Sequence, residues 1–423
     1  MLLSTSPVRV SSATTAAVLG VALSLTAFPR ISTAQGPTPQ GPTSSADPAE
    51  TSSRSIGAAF GRLGDRLDDW VDHFDFYGFL STRFMDTAAG GSHPDGFFGV
   101  HQALVFIEAD VKDVATAVLE VEFDYFRDND QNGTGVNEAY IRIDNFTGDA
   151  DPDDGFTFVA GRFNLPFGEY YSFEDPPGNF MIGLPILMPY RWDEGIMVYG
   201  SGAPGGFVVA LTEGTYDRAS STGLSPALTA RLHTEPTENL YISVSGHFAN
   251  ETPASALCLG GSVITPVGGG SAGASPSSTV DALLGVVNVQ WQATSSLWIH
   301  ASAGVAQVDD RVDSFDREFG WWTLEPSWEI DETWRATLRW SGVSTFDAGE
   351  GYQFEGRPYG NGVATYGFDL TRAQRLAACV TCTFAPGLIG KIEAGFDDFV
   401  ATNQSALPDD TREFFAAELV LSF

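Results

Sequence analysis

The sequence predicts an all-β protein, a transmembrane antiparallel β-barrel of about 16 strands preceded by a short N-terminal helix. The first observation is the segment 412–423, where apolar and polar residues alternate up to the aromatic Phe423. The second is that short and long connections alternate along the chain. The third is the lack of any apolar run of about 18 residues, so no membrane-spanning helix is predicted.

Three segments are predicted before the barrel. Residues 1–34 are typical of an export signal, because a weakly basic start and a short apolar core precede small residues at a cleavage site. Residues 35–55 form a linker rich in Pro, Gly, Ser and Thr, which cannot bury a core. Residues 56–72 have the apolar spacing of an amphipathic helix, which we expect on the periplasmic side. The barrel then occupies residues 73–423.

Period-2 alternation between turn signals places the strands. They are expected at about 75–85, 99–111, 115–127, 135–146, 156–164, 195–200, 206–214, 226–233, 240–249, 280–292, 297–309, 318–330, 334–344, 362–382, 388–400 and 412–423. Outer-membrane barrels have short periplasmic turns and long external loops, and about 16 strands leave an aqueous channel. Tryptophans near the strand ends, among them Trp321, Trp322 and Trp328, are expected in interfacial aromatic girdles.

The chain is strongly acidic, with a formal net charge of −32 and 22 basic residues. Only Lys112 and Lys391 are lysines, so nearly all the positive charge is arginine. Such acidity argues against a nucleic-acid partner, which requires basic residues to neutralise phosphates. An acidic lumen would instead raise the local concentration of cations and repel anions.

The connection 165–194 is the third external loop in this topology, and it is rich in apolar residues and prolines. A mobile surface loop would not carry so many of them, so we expect this loop to fold into the lumen and narrow it. Its charged residues are the predicted constriction residues: Glu169, Glu174, Asp175, Arg191, Asp193 and Glu194.

The strand phase predicts which charged residues line the pore, because a charge that faces lipid costs about 2–4 kcal/mol at the midplane. The predicted pore-lining residues are Glu120, Glu122, Asp124, Glu138, Arg142, Asp144, Arg231, Arg335 and Arg339. Loop acids across a gap from the wall arginines would produce a transverse field that filters polar solutes. The alternative is that many are ordinary solvated charges without a role in selectivity.

Three motifs carry a resemblance to a known family. They are 161–169 (Gly-Arg-Phe-Asn-Leu-Pro-Phe-Gly-Glu), 189–195 (Pro-Tyr-Arg-Trp-Asp-Glu-Gly) and 418–423 (Glu-Leu-Val-Leu-Ser-Phe). This pattern resembles the phosphate-selective porin O/P family of bacterial outer-membrane proteins. The resemblance implies a homotrimeric outer-membrane diffusion pore of sixteen strands. The lysine clusters and arginine ladder of the anion-selective members have no counterpart here.

The expected function is therefore an outer-membrane porin for small hydrophilic solutes or ions, weakly cation-preferring, with membrane lipid and further copies of itself as partners. An anion- or phosphate-selective porin and a non-transporting adhesin or structural barrel remain alternatives. No catalytic motif, metal site or cofactor site is predicted. Cys379 and Cys382 form a Cys-x-x-Cys that, in an exported protein, indicates a local disulfide or inert thiols.

Overall fold

The computed structural model describes most of the chain after residue 72. The described residues are 73–87, 96–111, 114–124, 133–146, 155–169, 175–187, 192–202, 205–214, 226–253, 262–266, 279–310, 316–346, 352–356, 364–401 and 410–423. The predicted signal peptide, linker and N-terminal helix lie outside them. None of the described residues belongs to a helix of the length and apolarity needed to cross a membrane.

Eighteen strands form one antiparallel sheet. They are β1 (His73–Thr87), β2 (Phe97–Val111), β3 (Ala115–Asp124), β4 (Gly133–Ile143), β5 (Phe156–Asn164), β6 (Trp192–Gly202), β7 (Gly205–Thr212), β8 (Ala227–Thr237), β9 (Leu240–Pro253), β10 (Ser262–Pro266), β11 (Thr279–Gln292), β12 (Leu297–Asp310), β13 (Asp316–Glu329), β14 (Trp334–Thr345), β15 (Tyr352–Gly356), β16 (Ala364–Ala385), β17 (Leu388–Ala401) and β18 (Asp410–Ser422).

Sixteen of these strands close into the barrel wall. Each pairs with its neighbour in the chain, except that β9 pairs with β11 and β14 with β16. The short strands β10 and β15 lie outside this circuit; they pair with each other, and β15 also pairs with the first residues of β16. The predicted sixteen-stranded barrel is confirmed, and the two short strands within long connections were not predicted.

The first and last strands close the barrel. β1 pairs with both β2 and β18, from Phe79 opposite Ser422 to Thr87 opposite Phe414. The backbone amides of Gly78 and Phe423 each donate to the other residue's carbonyl oxygen at 3.0 Å. Because every wall strand has two neighbours, the part of the wall that the structure describes has no free edge.

Side chains on each strand alternate between an apolar exterior and the interior. On β14, Leu338 and Trp340 are 46% and 44% exposed, whereas Thr337 and Arg339 are 4% and 0% exposed. β18 follows the same rule, with Leu419 outside and Glu418 inside. An exterior covered with large apolar side chains around a polar interior is the pattern of a barrel that spans a membrane.

The alternation of sides along a strand decides two further expectations. Trp322 lies outside against Trp340, with ring centroids 5.6 Å apart, whereas Trp321 is 2% exposed and faces the interior, so its expected place in a girdle is wrong. Cys379 and Cys382, three positions apart on β16, also face opposite sides and are free thiols. They form no local disulfide, which leaves the other alternative, inert thiols.

Gly161 supplies a test of how tightly β4 and β5 approach. Its φ of +133° is rarely adopted by other residues, and a Cβ there would lie 2.3 Å from the carbonyl oxygen of Ala139. We expect Gly161→Ala to destabilise the barrel by about 1–3 kcal/mol. Gly202→Ala is the matched control, because a Cβ there meets nothing within 4 Å. The readout is the denaturant midpoint of β-sheet circular dichroism in detergent; equal midpoints would contradict the prediction.

Candidate functional site

The chain enters the interior of the barrel directly after β5. The residues concerned, 165–169 and 175–187, are called the inner loop. Leu165, Phe167 and Leu187 are at most 4% exposed and pack against a cluster of inward-facing residues. That cluster comprises Ala227, Ala249, Ala282, Leu284, Val286, Ala306, Val308, Phe319, Trp321, Val343 and Ala373. The inner loop thus shares one apolar core with the wall from β8 to β16.

A second apolar cluster holds the later part of the inner loop. Met181 and Ile182 are buried together with wall residues of β1, β16 and β18. These wall residues are Met85, Ala377, Cys379, Phe414 and Ala416. In the closed wall the order is β16, β17, β18 and β1, away from β5, where the loop begins. The inner loop therefore extends from β5 to the far side of the interior.

Polar side chains of the wall bind the backbone of the inner loop. The carbonyl oxygen of Ile182 accepts a hydrogen bond from Arg83 (3.2 Å), that of Gly183 from Arg339, and that of Leu184 from Arg375 (3.1 Å). The hydroxyl of Thr381 donates to the carbonyl oxygen of Phe180 at 3.2 Å. The ammonium group of Lys391 donates to the carbonyl oxygens of Met181 at 3.1 Å and of Pro176 at 2.5 Å. A buried backbone that forms no sheet needs such partners, because an unpaired polar group is costly.

Glu393 on β17 supplies the main acceptor for the amides of the inner loop. Its Oε2 accepts from the backbone N–H of Ile182 at 2.5 Å and of Gly183 at 2.9 Å. We call Arg83, Arg339, Arg375, Lys391 and Glu393 the latch. All five are at most 5% exposed.

Wall carboxylates pair with the four cations of the latch. Arg83 and Lys391 both contact Glu418, at 2.9 and 3.2 Å. Arg339 contacts Glu325 at 2.5 Å, and Arg375 binds Asp397 through two nitrogens at 2.6 and 2.7 Å. With Glu393 counted, four cations face four carboxylates. The latch therefore places charges in the interior without adding net charge, as buried ions require.

Glu169, a predicted constriction residue, is buried and bound to the wall. Its carboxylate accepts from Arg231 at 3.0 Å and from the hydroxyl of Tyr241 at 2.7 Å. The neighbouring Gly168 accepts from Arg231 at 3.2 Å and donates to Ser245 at 3.2 Å. The structure thus brings Glu169 and Arg231 into direct contact rather than across a gap.

The other two predicted wall arginines also contact the inner loop. Arg339 is fully buried in the latch and donates as well to Asn179 Oδ1 at 3.2 Å. The guanidinium of Arg335 lies 3.8 Å from the centre of the Phe180 ring and 3.5 Å from Glu329. All three arginines are therefore engaged with the loop or with wall carboxylates.

An acidic surface lies on the inner face of β2 to β4, and we call it the acidic face: Glu108, Glu120, Glu122 and Glu138. These carboxylates accept hydrogen bonds from neutral groups. The hydroxyl of Tyr77 donates to Glu108 at 2.5 Å, and the side-chain amide of Asn137 donates to Glu120 and to Glu122, both at 2.9 Å. The side-chain amide of Gln102 donates to Glu122 at 3.0 Å, and that of Asn164 donates to Glu138 at 3.1 Å. None of these hydrogen bonds brings a positive charge to the acidic face.

Asn137 and Glu138 are adjacent in the chain, and a β-bulge explains why both side chains lie at the acidic face. The register between β3 and β4 shifts after Glu120, so that Glu120 opposes Glu138 and Val121 opposes Val136. Asn137 is the additional residue, and a bulge turns such a residue toward its neighbour's side. The amide of Asn137 can therefore donate to two glutamates of β3.

Asp175 belongs electrostatically to the acidic face. Burial, followed by repulsion from Glu122 and Glu138, raises the pKa of Asp175 to about 7. This placement differs from the expectation that Asp175 faces wall arginines. Its charge is therefore poised to change near neutral pH.

The remaining predicted residues are dispersed. Arg142 contacts Asp144 at 3.1 Å and Thr116 at 3.2 Å, on the inner wall. Asp193 is 1% exposed and accepts from the amides of Glu194 and Gly214, a structural role at the loop end of β6. Glu194 points outward at that end, Asp124 ends β3, and Glu174 and Arg191 lie outside the described residues. Within the described ranges, no group of three or more His, Cys, Asp or Glu is placed to hold a metal.

Sequence reasoning did not single out most of the latch. The signal was present on β17, where Lys391, Glu393 and Asp397 share one face and Ile392, Ala394 and Phe396 the other. The same inward-charge argument that identified Arg339 applies to this strand. What the pattern lacked was the partner, because Glu393 binds residues more than 200 positions away in the chain.

In its fold, this barrel resembles solved structures of outer-membrane proteins. The chain resembles OmpT, an outer membrane protein of Vibrio cholerae, in its trimer form (TM-score 0.57, 12% identity, 83% of this chain and 99% of that chain). It also resembles the outer membrane channel DcaP of Acinetobacter baumannii (TM-score 0.56, 12% identity, 83% of this chain and 97% of that chain). A third similar structure is an anion-selective porin from Comamonas acidovorans (TM-score 0.52, 9% identity, 83% of this chain and 99% of that chain). At these identities the likeness establishes the fold. No protein-family model and no curated protein matches the chain, so membership of the phosphate-selective porin O/P family stays a prediction.

The latch yields a test of what holds the inner loop. We expect Glu393→Gln to weaken docking by about 1.5–3 kcal/mol, because a charged acceptor for two amides is replaced by a neutral one. Single-channel recordings should then show a noisier current, since the loop leaves its docked position more often. Glu332→Gln, in the exposed turn after β13, is the control. Recordings of Glu393→Gln that match the control would contradict this role.

Proposed function

We propose that this chain is a bacterial outer-membrane porin, a water-filled channel for passive diffusion of small hydrophilic solutes or ions with a weak preference for cations. It performs no catalysis in this proposal. Supporting it are a closed sixteen-stranded wall, an apolar exterior suited to lipid, and an inner loop that occupies part of the interior.

The observation that carries the cation preference is the unequal charge of the two sides of the interior. On the side of the inner loop, the latch cations are paired with wall carboxylates and bound to backbone carbonyls. At the acidic face, the carboxylates receive hydrogen bonds from neutral groups, and Asp175 of the inner loop is repelled by Glu122 and Glu138. A solute passing between them meets net negative charge, which concentrates cations.

Location and assembly belong to the same proposal. The exported barrel is placed in the outer membrane with lipid around it, and we propose a homotrimer. The Vibrio cholerae OmpT structure is described as a trimer form, which supports this assembly by fold likeness. Closed rotational symmetry is the common arrangement of such assemblies.

Anion or phosphate selectivity is the second candidate, because the sequence motifs resemble the phosphate-selective porin O/P family. It would need cations available to the solute. Arg339 and Lys391 are at most 3% exposed and engaged by the inner loop, which makes them poor anion sites. A non-transporting barrel is the remaining alternative, and it would carry no current.

Selectivity is tested by reversal potentials in planar bilayers under a potassium chloride gradient. We expect a cation preference that falls about two- to fivefold, as a permeability ratio, when Glu120, Glu122 and Glu138 become Gln together. The control changes the exposed residues Glu235, Glu238 and Glu332 to Gln, which removes the same charge away from the acidic face. An anion preference in the unmodified protein, or phosphate block of the chloride current, would overturn the proposal.

Because of Asp175, we expect the cation preference to depend on pH. With a pKa of about 7, its carboxyl is ionised above neutral pH and neutral below it. The cation preference should therefore decrease as the pH is lowered from about 8 to about 6. Asp175→Asn should make this step smaller, because one titrating carboxyl of the passage is removed. A step that persists unchanged in Asp175→Asn would assign it to another group.

A further inference from the structure

Three polar side chains lie in one row across the inner wall of β8, β9 and β11. His233 opposes Ser243, and Ser243 opposes Asn288. Each has a buried atom with no hydrogen-bond partner among the described residues: Nδ1 of His233, Oγ of Ser243 and Nδ2 of Asn288. Ser243 and Asn288 are 1% and 2% exposed. We call these three residues the neutral row. Because buried polar groups are nearly always paired, three unpaired ones side by side point to a ligand.

The inner loop binds on both sides of the neutral row without pairing with it. Tyr241 and Ser245 are the inward residues of β9 that flank Ser243. The hydroxyl of Tyr241 donates to Glu169 at 2.7 Å, and that of Ser245 accepts from the backbone amide of Gly168 at 3.2 Å. The docked loop thus satisfies both neighbours of Ser243 but not Ser243 itself, so the neutral row is not needed to hold the loop.

The ring of His233 is held in place by its neighbours. It stacks on the ring of Tyr241, with centroids 5.5 Å apart and planes inclined by 22°. Gly206, which opposes His233 on β7, leaves the space that the ring occupies, because a Cβ there would lie 2.6 Å from the ring carbon Cε1. Neither neighbour pairs with Nδ1. The ring is therefore positioned by packing, and its nitrogen stays available to a ligand.

The chemistry of the neutral row fits hydroxyl groups. An amide N–H donates, a hydroxyl donates or accepts, and an imidazole nitrogen does either according to its tautomer, so a ligand that can both donate and accept matches all three. The next inward residue of β8, Arg231, is paired with Glu169 at 3.0 Å and brings no net charge. Opposed side chains on neighbouring strands lie about 5 Å apart, so the row is about 10 Å long, comparable with an extended hexitol.

We propose that the neutral row is a binding site for an uncharged polyhydroxylated solute, of the class of hexitols and sugars. The inference rests on the proposed passage of small hydrophilic solutes and names one class among them. Solute hydroxyls accept from the amide of Asn288 and pair with the hydroxyl of Ser243 and the imidazole of His233. Gln290 and Ser302, the inward neighbours of Asn288, are partly exposed, so a solute in the interior reaches the row when these side chains rotate.

Saturation-transfer NMR of sorbitol with the full chain in detergent tests this site. We expect Ser243→Ala combined with Asn288→Leu to raise the dissociation constant of sorbitol about tenfold, because two hydrogen bonds to the solute are lost. The control is Ser327→Ala on β13, since Ser327 is 2% exposed but its hydroxyl is paired with Thr337 at 2.9 Å. The control should bind sorbitol as the unmodified protein does.

The double variant is expected to fold, because the two groups it removes have no partner to lose. Its denaturant midpoint should equal or exceed that of the unmodified protein, whereas a merely structural role of the row would lower it. Ser243→Ala alone provides a milder variant, for which we expect the dissociation constant to rise about threefold.

Three results would overturn the site: no sorbitol binding to the unmodified protein, equal binding by the double variant, or tighter binding of gluconate, which would assign the row to anions. Sorbitol binding should also survive the change of Glu120, Glu122 and Glu138 to Gln, because the acidic face acts on charge; its loss there would place sorbitol at that face instead. Ion current in reconstituted bilayers tests the porin proposal separately, since NMR detects binding in a conducting or a silent barrel.

Discussion

The interior of this barrel depends on one constraint: a loop without regular structure can lie inside a protein only when its backbone polar groups find partners. The latch meets this constraint with five long charged side chains from four strands, β1, β14, β16 and β17. The four cations need carboxylate partners, and the wall provides Glu325, Asp397 and Glu418, the last shared by Arg83 and Lys391. The position of the inner loop, the neutrality of the wall behind it and the acidity of the remaining passage all follow from that arrangement.

Much of the fold was predictable because each strand shows a local alternation of apolar and polar residues. Alternation of apolar and polar residues placed all sixteen wall strands, and it put Glu120, Glu122 and Arg339 on the interior side. The same rule shows why the girdle assignment of Trp321 failed, since Trp321 and Trp322 cannot share a face. The apolar composition of 165–194 likewise indicated a packed loop.

The partners of the inward residues could not be predicted from periodicity. A strand phase gives the direction of Arg339 but not that its guanidinium meets Gly183, 156 positions earlier in the chain. The expectation of free arginines facing loop acids assumed a gap, whereas close packing brought loop and wall into contact. Asp175 was separated from the arginines for the same reason, because the fold of the loop places it beside Glu122 and Glu138.

The latch recognises the inner loop through its peptide groups. From Phe180 to Leu184, consecutive carbonyls and two amides are bound by the wall, and any residue other than proline offers the same groups. Side chains along this stretch can therefore be changed without loss of these hydrogen bonds, provided that the apolar packing is preserved. New side chains introduced there would be carried on a fixed backbone, so the chemistry of the passage can change while the wall stays as it is.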